Sequence, residues 1–328
     1  MTFTRRHIIQ SAGASALLAT LGQHALAQNQ PELLRIITGF AAGGTSDTIC
    51  RRCATQLAPG YAKTAVVENR TGAGGQIAIQ FVKSAAPDGT TMLQTPTSML
   101  TIYPHIYKKL AYDPVESFVP VGPAGSAPML LLARADLPAN TLPEFIAWLG
   151  KSRDKASYGS AGVGSISHYG CVMLLSSIKQ NATHVPYKGV APAMNDLMGG
   201  QTDFMCDQTT TALPQVAGGR IKAIAVLSKE RLASLPRTGT AAEAGYPLDV
   251  RSWNALFAPR GTPAPVLATL TQALQNAVGD AGLIRQLQGV GVELPKPADT
   301  TSVAIAQRIA IGLRDDVPAL KAKGEYLD

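Results

Sequence analysis

Residues Leu33–Arg52 read LLRIITGFAAGGTSDTICRR. Leu33, Leu34, Ile36 and Ile37 form an apolar run with the length and branching of a buried strand. Gly39-Phe40-Ala41-Ala42-Gly43-Gly44 is a small-residue turn. Thr45, Ser46 and Asp47 then offer three N-caps for a helix that carries Ile49, Cys50, Cys53 and Leu57. Strand, glycine turn and capped helix together present free backbone N–H groups to an anion.

The same plan recurs downstream. Thr64–Glu68 is a short β-rich run ending in the loop Asn69–Gly75, and Gln76–Ala85 has helical spacing. Thr90–Gln94 is a third strand, ending at Thr95-Pro96-Thr97-Ser98. These repeated strand–loop–helix units predict a mostly parallel α/β sheet, in which ligands sit outside the carboxyl ends of the strands. Phe118–Ala133 is a long apolar stretch broken by Pro120, Pro123 and Pro128, as in a strand that bends while leaving a first domain. A helix at Thr141–Leu149 follows. Ala156–Ser160 then runs into Ser160-Ala161-Gly162-Val163-Gly164-Ser165-Ile166-Ser167-His168 and a further helix. A helix over Ala191–Met198 leads to a strand at Thr202–Cys206, which ends at Asp207; another helix closes at Val216–Gly219, and Ile221–Leu227 is an apolar strand. Val250–Ala258 returns as an extended segment. Helices are predicted over Pro265–Val278, Ala281–Gln288 and Asp299–Ala322, with a short strand near Val292. One excursion and one return imply two lobes joined by two hinge crossings, residues 28–126 with 252–328 and residues 127–251, an architecture that closes on a ligand.

Residues 1–27 stand apart from the fold. Thr4-Arg5-Arg6-His7-Ile8-Ile9 resembles a twin-arginine export signature, an apolar region runs from Ala12 to Leu21, and Ala25-Leu26-Ala27 fits a small-x-small cleavage site. The expectation is an exported, periplasmic protein cleaved after Ala27. Removing this segment takes away Arg5 and Arg6 and no acid, which lowers the formal net charge from +7 to +5. Such a surface suits small anionic solutes. It is not a nucleic-acid profile, because the Lys and Arg residues are scattered with few aromatics among them. Cys50-Arg51-Arg52-Cys53 has redox-motif spacing, yet both cysteines fall on one helical face, where two small buried residues also fit; a disulfide between them stays open.

The glycine loops are not nucleotide cradles, since neither Gly39–Asp47 nor Thr71–Gln76 ends in Gly-Lys-Ser/Thr or spells G-x-G-x-x-G. No metal motif is present, with His105, His168 and His184 far apart in sequence, and no cofactor is implied. Ser176–Lys179 matches Ser-x-x-Lys without the strand–turn context that the motif needs. Loops of Gly, Ser and Thr at helix starts can hold a carboxylate through N–H and hydroxyl groups without an arginine. His168 either orients a carboxylate or caps its own turn. Asp47 either faces the ligand or bonds to the loop's N–H groups.

A set of motifs then carries a resemblance over nearly the whole chain after residue 33. It comprises Gly43-Gly44-x-x-Asp47, Val67-Glu68-Asn69-Arg70-Thr71-Gly72-Ala73-Gly74-Gly75, Tyr112-Asp113-Pro114-x-x-Ser117-Phe118 and Tyr158-Gly159-Ser160-x-Gly162-x-Gly164-Ser165-x-x-His168. Val185-Pro186-Tyr187-Lys188-Gly189, Asp196-Leu197-x-Gly199-Gly200-x-x-Asp203, Glu243-Ala244-Gly245 and Leu256-Phe257-Ala258-Pro259-x-Gly261-Thr262-Pro263 follow in order. Together they resemble the Bug-type receptors of the tripartite tricarboxylate transporter family. The resemblance implies a two-lobed periplasmic-binding fold of type II-like plan, each lobe a mostly parallel or mixed sheet flanked by helices. It implies a monomer that is not an enzyme and that delivers a small organic carboxylate to membrane permease subunits. It puts one carboxylate against Phe40, Gly44, Thr45, Ser46 and Asp47 with Gly74, and against Ser160, Gly162, Ser165 and His168. Thr97, Ser98 and Asp207 read the distal end. Prolines common in the family before the glycines are here Ala41 and Ala42, and Cys206-Asp207-Gln208 replaces a more usual aromatic-Asp-Asn. A ligand sensor for a membrane kinase, or an exported enzyme, are the alternative readings.

Overall fold

The computed structural model describes residues 30–152 and 155–315. The twin-arginine segment, the Ala27 cleavage site and the last turns of the helix expected to reach Ala322 lie outside the described residues.

Leu33–Thr38 forms β1, with Leu34, Ile36, Ile37 and Thr38 buried. It pairs in parallel with β2 (Thr64–Asn69) and β3 (Thr91–Pro96). Between β1 and β2 runs α1 (Thr45–Tyr61), which buries Ile49, Cys50, Cys53, Ala54 and Leu57 at helical spacing against the sheet. Ile49 and Leu57, both fully buried, each stabilise the fold by roughly 1.5–3 kcal/mol. Cys50 and Cys53 are free thiols, and burial pushes Cys53 up to about 12. After the 3-10 turn Ala73–Gly75, α2 spans Gln76–Lys83. The segment after β3, left unassigned by sequence, is a π-helical turn (Ser98–Ile102) running into α3 (Tyr103–Ile106).

β4 (Phe118–Arg134) is a single 17-residue strand. Pro120 and Pro123 coincide with register shifts, between Pro120 and Gly122 and between Pro123 and Gly125, which is how a central strand accommodates residues that cannot donate to the ladder. From Phe118 to Pro128 it pairs antiparallel with β9 (Arg251–Pro259), which also pairs with β3. From Met129 onward it pairs antiparallel with β7 (Phe204–Gln208) and β8 (Ile221–Val226). β7 in turn pairs in parallel with β5 (Ser157–Ser160), and β5 with β6 (Thr183–Pro186). The order β2-β1-β3-β9-β4-β7-β5-β6, with β8 beside β4, is a mixed sheet of two parallel-type halves sharing long antiparallel strands. The segment near Val292 is a bridge from Glu293 to Ser126.

Helices flank both halves: α4 (Leu142–Lys151), α5 (Ile166–Ser177), α6 (Val190–Met198) and α7 (Thr209–Ala217) on one, and α8 (Ala264–Gly279), α9 (Ala281–Gln288) and α10 (Ser302–Asp315) returning to the other. The packing of α8 against α1 closes a core of Leu57, Leu270, Ala273 and Leu274. This is the two-lobed α/β plan expected from the alternation of elements.

Candidate functional site

Three strand-to-helix turns, β1–α1, β5–α5 and β7–α7, meet the start of α6 around one cleft of about 470 Å³. The β1–α1 turn contributes Phe40, Ala41, Ala42, Gly43, Gly44, Thr45 and Ser46. Gly44 is the N-cap of α1 and makes no side-chain cap bond, so the first-turn amides of this helix are left to an outside acceptor. Asn69 and Asp47 hold the turn in shape. The Asn69 amide donates to the Phe40 carbonyl (2.9 Å) and to Asp47 Oδ1 (2.8 Å), and the Gly43 N–H donates to Asp47 Oδ2 (2.9 Å). Arg51 Nε adds a third donor to Asp47 at 3.1 Å. Burial alone would push the Asp47 carboxyl up, but these donors outweigh it and hold it below the usual carboxylate range. Behind the turn, Gly39 approaches Gly75 so closely that a Cβ on Gly39 would lie 2.7 Å from the Gly75 Cα. Gly74 belongs to that buttress: it has φ +63°, and its carbonyl accepts the Tyr103 hydroxyl (2.9 Å).

The facing turn begins at Ser160. Ser165 is the N-cap of α5; its Oγ accepts from the His168 N–H (3.3 Å) and donates to the Gly162 carbonyl (2.6 Å). Ser167 Oγ accepts from the Ala161 N–H at 2.8 Å. Gly164 has φ +75°, and its N–H donates to His168 Nδ1 (3.1 Å), which leaves the imidazole proton on Nε2. The His168 ring stacks on His184 at 4.2 Å between centroids, and His184 stacks on Tyr158 at 4.8 Å. His184 Nε2 lies 2.6 Å from Ser160 Oγ. That pair has the spacing of a nucleophile and base; Ser160 is fully buried and is not among the residues that line the cleft.

Of the residues singled out in the sequence, Phe40, Gly44, Thr45, Ser46, Ser98 and Ser165 line the cleft. Asp47, Gly74, Ser160, Gly162 and His168 are not among the residues that line it and shape the two turns through the bonds just given. Thr97 is bonded through its hydroxyl to the Trp253 backbone, accepting its N–H at 3.0 Å, and so ties the π-helical turn to β9. Asp207 is fully buried at the end of β7; its Oδ2 accepts the Thr211 hydroxyl, and its Oδ1 has no partner. Burial is the main reason its carboxyl rises to about 6, against the opposing bonds from Thr211 and the Gln208 N–H.

Sequence reasoning passed over Ser167, Gln208, Thr210 and Thr211 and the α6 face of Val190, Ala191, Met194 and Met198. The signal for the first group was available, because Gln208-Thr209-Thr210-Thr211 after β7 is a third strand-to-helix turn rich in hydroxyls. The Thr210 and Thr45 hydroxyls bond directly to each other across the cleft. Asn254, on β9, accepts from the Ser46 hydroxyl (2.7 Å) and from the Gln94 amide (2.9 Å), anchoring the start of α1 to the shared strand. Among the described residues, no group of His, Cys, Asp and Glu could hold a metal ion.

Two half-sheets joined by long strands, with helix N-termini facing one another over an uncharged cleft, define a two-lobed solute receptor. The chain belongs to the tripartite tricarboxylate transporter family of receptors, whose match spans residues 49–310. A UPF0065 protein of Agrobacterium vitis is 36% identical over 83% of this chain and 79% of its own length. The structure of the periplasmic binding protein BugD superposes with a TM-score of 0.82 at 36% identity, covering 90% of this chain and 98% of that one. MatC from Rhodopseudomonas palustris with bound malate superposes with a TM-score of 0.81 at 33% identity, covering 89% and 99%. The family consists of solute-binding receptors that work with tripartite transporters. Among the described residues no helix is long and apolar enough to cross a membrane.

Proposed function

We propose that this protein is an extracytoplasmic receptor that binds a small organic carboxylate in the cleft, closes its lobes over it and delivers it to the membrane permease subunits of a tripartite tricarboxylate-type transporter. The observation that carries the proposal is the convergence of the α1, α5 and α7 starts on a cleft lined by hydroxyl, amide and backbone N–H groups. A carboxylate there accepts the N–H groups that the helices leave open and sits at the positive ends of their dipoles. The malate bound to MatC supports the same chemistry. Thr45, Ser46 and Ser165 contact the anion directly in this reading, while Asp47, Ser160 and His168 hold the turns.

Residues 1–27 act as a twin-arginine signal cleaved after Ala27, and the mature chain works in the periplasm as a monomer without cofactor. The lobes comprise residues 28–126 with 252–328 and residues 127–251. The exchange of β4 partners at Pro128–Met129 supports this division. Thermal denaturation of the purified protein with a panel of mono- and dicarboxylates tests the proposal. At least one acid should raise the melting temperature, since a ligand at 100 times its Kd adds about 2.7 kcal/mol to the native state. The corresponding neutral amides should leave it unchanged. A panel in which no carboxylate shifts the transition sinks the reading.

A further inference from the structure

The three threonines that open α7 have their hydroxyls engaged. Thr209 donates to the Gly291 carbonyl (2.8 Å), Thr210 bonds to Thr45, and Thr211 donates to Asp207 Oδ2. The two glutamines that flank them differ. Gln208 is the N-cap of α7, Gln215 lies in its last turn, and both line the cleft. Each has a buried Oε1 with no hydrogen-bond partner. Gln208 is only 8% exposed and makes no side-chain cap bond, so α7 itself does not use its carboxamide.

Seven residues separate the two glutamines, which is two helical turns, so they share one face of α7 roughly 10 Å apart. A polar atom left unpaired in a buried site is costly. A solute that fills the cleft displaces water from these amides and has to supply their partner. Half a turn about the last side-chain bond exchanges Oε1 for Nε2, so each carboxamide presents an acceptor or a donor. A hydroxyl both donates and accepts and therefore fits either orientation. A methylene fits neither and leaves the amide desolvated without a bond.

We infer, on the receptor reading above, that Gln208 and Gln215 are specificity-determining residues that read a neutral hydroxyl on the body of the solute. The receptor then takes a hydroxycarboxylate over the unsubstituted acid of the same skeleton, and neutral amides impose this on monoacids and diacids alike. Calorimetric titration of the full chain with matched pairs tests it: 3-hydroxybutanoate and butanoate, 2-hydroxyglutarate and glutarate, 3-hydroxyadipate and adipate, 4-hydroxybenzoate and benzoate. In the skeleton that binds tightest, the hydroxylated acid should bind roughly tenfold or more tighter than its partner. Gln208→Met and Gln215→Met keep nearly the same length without the amide, and in at least one of them that ratio should fall toward one. Unsubstituted acids that bind as tightly as their hydroxylated partners in every skeleton overturn the inference and leave the receptor reading standing. So does a wild-type ratio in both variants, which places the hydroxyl against another wall. If no carboxylate binds at all, the receptor reading falls and takes this inference with it.

Discussion

Asp207 and Asp47 are both buried carboxylates, yet their surroundings move them in opposite directions. Asp207 has one hydroxyl and one backbone donor against full burial, and its carboxyl rises to about 6 from an ordinary value of 3.8. Between those two values the native state holds a proton that the unfolded chain has lost, so native stability falls as the pH rises through that window. Above about pH 6 the cost is constant, at about 3 kcal/mol from the size of the shift. Asp207→Asn keeps an acceptor for the Thr211 hydroxyl and removes the charge. It should therefore raise the unfolding free energy at pH 7.5 and lose that advantage near pH 4, as read by urea denaturation at both values. An identical effect at both pH values would show that the ionised carboxyl is not the source of the cost. Asp47 shows why such roles escape a sequence. A cap and a ligand contact require the same residue at the same place in a turn. Its actual donors include Asn69, 22 residues away on the end of another strand.

The elements themselves were largely readable, because their cores follow period and punctuation. The apolar spacing of α1 and the proline-marked course of β4 correspond to real features. The π-helical turn at Ser98–Ile102 was not readable: all five residues are buried, so no polar face remains to set a period. The turns that build the cleft were visible as composition, but their precision depends on contacts from distant elements. Gly164 illustrates this. It holds φ +75°, and a Cβ there would lie 1.9 Å from Ile106 Cδ1 on α3. Gly164→Ala should cost about 1–3 kcal/mol through backbone strain and the forced movement of Ile106, measured by chemical denaturation. A wild-type midpoint would mean that the turn relaxes freely. Ser165→Ala acts at the same turn by a different route. It removes the α5 cap, costing about 1 kcal/mol of stability, and should also weaken carboxylate binding. Loss of stability with unaltered affinity would confine Ser165 to capping.

At the scale of the molecule, contacts between the two sides of the cleft set the state in which it is seen. Thr45 at the start of α1 and Thr210 at the start of α7 share a hydrogen bond between hydroxyls, although they are 165 residues apart. Thr209 donates to the Gly291 carbonyl at 2.8 Å, a second tie between α7 and the segment after α9. Thr45 and Thr209 are buried in this state, but water could satisfy the freed hydroxyls in an open form, so each bond resists opening by a net of about 1 kcal/mol. A receptor that must release its cargo requires weak ties of this kind, with the ligand supplying the remaining closure energy. Replacing both hydroxyls with thiols converts the weak tie into a permanent one. In the Thr45→Cys/Thr210→Cys double variant the γ positions face each other, and the four native cysteines are buried away from oxidant. Mild oxidation should join the two sides, raise the melting temperature and slow both uptake and release of a bound carboxylate by orders of magnitude. A reductant should restore wild-type exchange. If the cross-linked protein exchanged ligand at the wild-type rate, the solute would enter by a path that needs no separation of α1 from α7, and lobe opening would not be the step that admits it.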